Sequence, residues 1–84
     1  MTMYKNRAED GGCNISGKNI ARLRKGLKEK PSQRRFAEML QLAGLDLNKN
    51  AIQGMEAGNR FITDIELRII AKVLNTTYEG LLRE

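Results

Sequence analysis

The chain has 84 residues, 15 Lys and Arg against 10 Asp and Glu for a formal charge of +5, no His, one Cys, one Pro and 40% apolar residues. That length is one domain on a prior of roughly 150 residues per domain, and a single Cys without His excludes a disulfide framework, the usual zinc sites, which take about four ligands, and every His-dependent triad. No apolar run approaches the roughly 20 residues of a membrane span and no secretory signal opens the chain, so a small, basic, cytoplasmic binding module without enzymatic activity is expected.

Met1 to Ser16 is polar, with Gly11-Gly12 and no sustained apolar period. It reads as a flexible N-terminal arm, with the folded domain at 17–84. From Gly17 the pattern is helical. Ile20, Leu23 and Leu27 share one face of a first helix over about 18–29, which Pro31 stops. Ser32 is an N-cap for a second helix over roughly 33–43, whose apolar stripe is Phe36, Met39, Leu40 and Ala43. Gly44 follows where a left-handed residue commonly ends a helix. Leu45-Asp46-Leu47 is a linker, and Asn48 caps a third helix over about 49–57, with Ile52 and Met55 inward and Gly58 at its end. Thr63 and Glu66 have capping-box spacing for a fourth helix, with Ile62 and Leu67 placed as a hydrophobic staple. Ile69, Ile70, Val73 and Leu74 form its core face, and Asn75 suits a left-handed end. Thr76 or Thr77 caps a short fifth helix with Tyr78, Leu81 and Leu82, which close a small core or leave a dimer patch. The expected fold is all-α, five helices with short connections.

The charge is localised. Residues 1–16 are neutral, with Lys5 and Arg7 against Glu9 and Asp10; residues 17–60 carry ten cations and four acids, a net of +6; residues 61–84 are −1. A confined positive field suits a polyanion, although a solvated basic face is the ordinary alternative. Two details favour the polyanion. The third helix contains Gly54 and Asn50, so it is weak by itself, and its outer face is Lys49, Asn50, Gln53 and Gly54. Asn and Gln pair with adenine edges and Lys with guanine. Arg34 and Arg35 open the second helix and Lys49 the third, where the helix dipole disfavours cations by about 0.3–1 kcal/mol each. A phosphate accepting from the free N–H groups and the cations together removes that conflict.

On these residues the chain resembles the helix-turn-helix domain of the phage-repressor and Cro-like regulators, the xenobiotic-response-element family. The matching stretches are Asn19-Ile-Ala-Arg-Leu-Arg24, Ser32-Gln33 with Phe36-Ala37, Ala51-Ile52-Gln-Gly-Met-Glu56 with Gly58 and Arg60, and Ile65 through Leu74 with Leu81-Leu82. The resemblance implies a lambda-repressor-like domain whose helix-turn-helix is formed by helices two and three, with helix three in the major groove. It implies base reading by Lys49, Asn50, Gln53 and Gly54, and phosphate contact by Gln33, Arg34, Arg35, Asn48 and Arg60. It gives Glu56 a structural role. The 37–52 stretch is about five residues longer than the compact family spacing and is similar to a subgroup with a "GLDL" turn. Gly54 replaces a long polar residue, which implies modest sequence preference.

The function expected is therefore a sequence-specific DNA-binding transcription regulator, a repressor, acting as a homodimer on double-stranded DNA, with no cofactor, metal, small-molecule ligand or membrane partner. An antitoxin-like module that binds a small toxin is the rival reading. About five phosphate contacts set an expected slope of log K against log salt near −4 to −5.

Overall fold

The computed structural model describes residues 7–84, so the first six residues of the expected arm, with Lys5, lie outside it. Five helices follow in order: α1 Gly17–Gly26, α2 Gln33–Leu42, α3 Lys49–Ala57, α4 Asp64–Leu74 and α5 Tyr78–Leu82. No strand occurs among the described residues, and no helix is long and apolar enough to cross a membrane.

The helix starts follow from local chemistry. Ser32 Oγ accepts the Arg35 N–H at 3.1 Å, Asn48 Oδ1 that of Ala51 at 2.9 Å, and Thr77 Oγ1 that of Gly80 at 2.9 Å. Thr63 and Glu66 make the full capping box. The ends are left-handed where expected: φ is 98° at Gly44, 80° at Gly58 and 56° at Asn75. Each such cap satisfies backbone groups that a helix end leaves unpaired.

Three expectations need correction. The first helix stops at Gly26, not 29. Leu27 is extended, and Lys30 turns back with its N–H on the Leu27 carbonyl at 2.9 Å, delivering Pro31 to a buried position. Glycine inside the last turn and a proline five residues on make continuation unfavourable. The linker Leu45-Asp46-Leu47 is part of the core: Leu47 is buried, Leu45 packs beside it, and Gln41 Nε2 donates to the Leu47 carbonyl at 2.8 Å. Ala43, by contrast, is exposed. Within the expected arm, Cys13 and Ser16 touch the helical domain. The Cys13 N–H donates to the Gly58 carbonyl at 2.8 Å, and Ser16 is buried.

Ile20, Phe36, Leu40, Ile52, Met55, Ile70 and Leu81 are fully buried, so every helix contributes to one core. A fully buried side chain of this size contributes about 1.5–3 kcal/mol. Of Tyr78, Leu81 and Leu82, expected to close the core or leave an exposed patch, Leu81 alone is fully buried and the other two are more than two-fifths exposed.

Candidate nucleic-acid interface

α3 is held at both ends. At its start Leu47 is buried and Asn48 caps. Near its end Glu56 accepts from Arg24 Nε at 2.7 Å and Nη2 at 2.9 Å, and from Gln33 Nε2 at 2.9 Å. Arg24 Nη1 donates to the Pro31 carbonyl at 2.9 Å. Both side chains of this ion pair are almost wholly buried. The expected structural role of Glu56 is met. Arg24 was counted with the basic band, yet its charge is cancelled inside the protein. The signal for it was its place among Ile20, Leu23 and Leu27, on the apolar face of α1.

The Gln33–Glu56 bond puts the start of α2 beside the last turn of α3. Arg34 and Arg35 therefore stand at one end of α3, and Asn48 and Lys49 at the other. Nine residues of α-helix span about 13.5 Å, close to the roughly 12 Å width of the major groove of B-DNA. Along that length Lys49, Asn50 and Gln53 are exposed, and their side chains make no hydrogen bond or ion pair to any described residue. Arg34 is likewise exposed and unpaired among the described residues. Arg35 makes only an exposed pair with Glu38 at 3.2 Å, a contact worth about 0–1 kcal/mol. Gln33 spends one amide hydrogen on Glu56 and retains another, and Asn48 uses only its oxygen in the cap.

Two further residues expected at the interface, Gly54 and Arg60, meet each other in the structure. Gly54 faces the loop that follows α3: a Cβ there would meet the Arg60 Cβ at 3.3 Å. A side chain at position 54 would sit tightly there and require Arg60 to give by a few tenths of an ångström. Arg60 itself donates to Glu66 at 3.2 and 3.1 Å and to the Phe61 carbonyl at 3.3 Å. Partial burial pushes the Glu66 carboxyl up, but hydrogen bonds from Arg60 and Thr63 and the Arg60 charge outweigh it and hold it below its ordinary 4.5. Arg60 thus completes the electrostatics of the α4 start.

A segment outside the expected site also converges here. Asn14 Nδ2 donates to the Met55 carbonyl at 3.1 Å and the Arg60 carbonyl at 2.7 Å. Arg7 donates to Cys13 Sγ at 3.1 Å, with its guanidinium carbon 5.4 Å from the centre of the Phe61 ring. Among the described residues no three His, Cys, Asp or Glu side chains cluster as metal ligands would.

No protein-family model matches the chain, and no curated protein matches it by sequence. In three dimensions it is similar to the restriction-modification controller protein C.AhdI from Aeromonas hydrophila. The TM-score is 0.65 at 21% identity, over 79% of this chain and 86% of that one. The five-helix, helix-turn-helix architecture expected from the sequence is shared with that protein.

Proposed function

We propose that the chain is a sequence-specific DNA-binding transcription regulator that inserts α3 in the major groove. The observation that carries this is the division of polar groups on and around α3. Those at its inner side, Arg24, Gln33 and Glu56, are paired within the protein, whereas Lys49, Asn50 and Gln53 along its outer side have no partner among the described residues. Cations and amide donors stand at the start of α2, which Gln33 joins to the last turn of α3, and at the start of α3 itself. Asn50 and Gln53 read base edges, Lys49 serves both a base edge and the phosphate at the start of α3, and Arg34, Arg35, Gln33 and Asn48 hold phosphates. Gly54 and Arg60 support the loop instead of touching DNA. The fold's use in a restriction-modification controller agrees with a regulatory role in the cytoplasm. Repression by occupying promoter DNA is the simplest output for so small a module.

A homodimer fits the exposed apolar surface of α4 and α5. Ile65, Tyr78 and Leu82 are 67%, 52% and 43% exposed and line one shallow groove with Asp64 and Arg68. Asp64 and Arg68 are one helical turn apart, so two α4 helices packed antiparallel about a two-fold axis pair each Asp64 with the Arg68 of the other copy. Ile65→Lys is expected to leave a monomer by sedimentation; an unchanged dimer removes this face as the interface.

The test of the function is selection of duplexes from a random pool at a stated salt concentration, followed by titration. Three cations at the interface, Arg34, Arg35 and Lys49, set a salt slope of about −2.7 per protomer and about −5.4 for a dimer. A pool that yields no preferred sequence, or a slope near zero, contradicts the reading.

A further inference from the structure

We propose that Asn14 is a positioning residue for the reading face of α3, acting through that helix's last turn and the loop after it. The inference rests on the DNA-reading function above and deepens it.

One side chain ties three segments. Its amide nitrogen donates to Met55 and Arg60 carbonyls, and its oxygen accepts the Gly17 N–H at 2.7 Å. The two carbonyls bracket Gly58, the left-handed residue that ends α3, and the neighbouring Cys13 N–H takes the Gly58 carbonyl itself. The seat is close-fitting. A Cβ on Gly17 would run into the Met55 carbonyl and would lie 2.8 Å from Asn14 Oδ1. α1 and α3 therefore meet there with no spare volume, and Asn14 supplies the polar atoms that let their backbones touch.

Such a tie matters because α3 has little rigidity of its own. It is nine residues long with Gly54 in its final half, so its pose is set by what holds its ends. The buried Leu47 and the Asn48 cap fix the start. The Arg24–Glu56 pair grips one side of the last turn, and Asn14 fixes its terminal carbonyl and the exit of the chain. Lys49, Asn50 and Gln53 are placed between these anchors, and base reading demands placement within about half an ångström.

Asp is the discriminating replacement. It is isosteric and keeps an acceptor for the Gly17 N–H, but it has no donor and sets carboxylate oxygens against two carbonyl oxygens. Asn14→Asp therefore preserves the start of α1 and releases the end of α3, whereas Asn14→Ala removes both. The first readout uses no DNA. In amide spectra of the chain, Asn14→Asp is expected to shift Met55 through Phe61 and to propagate to Asn50 and Gln53. The Gly17 amide stays slow to exchange in Asn14→Asp and exchanges at least about tenfold faster in Asn14→Ala, the scale of one lost hydrogen bond. Unmoved Asn50 and Gln53 amides in Asn14→Asp overturn the proposal.

The second readout is discrimination between the duplex selected by the unmodified chain and a scrambled duplex. In Asn14→Asp the ratio is expected to fall about tenfold, the size of one misplaced bidentate base contact, with the salt slope unchanged. Val73→Ala, a comparable destabiliser on α4 away from this seat, should leave the ratio intact. An equal fall in both variants means general loss of stability and overturns the proposal. If Asn14→Asp does not fold, Asn14→Ser keeps one donor and one acceptor and carries the same comparison with an expected fall of about threefold. If the unmodified chain selects no duplex, the DNA reading fails, and the amide spectra alone decide the role of Asn14.

Discussion

The starts of α2, α3 and α4 are built on one plan and finished differently. Each has a polar N-cap whose oxygen accepts the N–H three residues on. At α4 that third residue is Glu66, which returns a bond to the Thr63 N–H at 2.9 Å and is itself neutralised by Arg60. At α2 it is Arg35 and at α3 it is Ala51, so neither Ser32 nor Asn48 receives the reciprocal bond, and neither first turn contains an acid. The first end is electrostatically complete within the protein. The other two keep positive dipole ends beside Arg34, Arg35 and Lys49, an arrangement that costs the free protein stability and that the phosphates of the proposed DNA partner would complete. The charge preference of helix starts is broken at two of the four starts capped in this way, and under the proposed function those two meet the phosphates.

Substitutions can break or sharpen this comparison. The largest expected effect is on the buried anchor that joins α1 and the start of α2 to the last turn of α3. Glu56→Ala leaves Arg24 buried without its partner and is expected to cost about 3–5 kcal/mol in thermal or urea unfolding; a loss under about 1 kcal/mol would show that water replaces the carboxylate. Next comes the complete end, where Thr63→Ala should cost about 1 kcal/mol. Its acid dependence follows from Glu66. A carboxyl held below its ordinary 4.5 in the folded state gives stability that is present above that value and is lost as pH falls through the lower folded value. Glu66→Gln should therefore flatten the stability curve below about pH 4.5, read from melts at stepped pH. The smallest effect is on the outer face: Gln53→Ala and Asn50→Ala should move stability by no more than about 0.5 kcal/mol, while lowering discrimination between selected and scrambled duplexes.

The caps at Ser32, Asn48, Thr63 and Thr77 and the left-handed ends at Gly44, Gly58 and Asn75 were legible in the sequence because each joins residues three or four apart. So was the α3 stripe of Ile52 and Met55 against Lys49, Asn50 and Gln53, which helical period alone divides. The residues that escaped are joined across the chain. Asn14 reaches carbonyls 41 and 46 positions away, and Arg24 meets Glu56 across 32. Leu45 and Leu47 looked like a linker because two apolar residues around Asp46 show no helical period, yet one core pocket accepts them. Arg60 and Glu66 are only six residues apart, but they stand on opposite sides of the Thr63 cap, where no helical period joins them.

The central claim is that the unfinished ends are kept for phosphate, and Lys49→Glu tests it most directly. Position 49 is the first residue of α3, and Glu there suits the helix dipole, so unfolding free energy should rise by about 0.3–1 kcal/mol. Affinity for the selected duplex at 0.15 M salt should fall at least about tenfold in the same protein, from one lost contact and one added repulsion. Gain in stability with loss of binding is the predicted result; unchanged duplex affinity in a stabilised protein would contradict it.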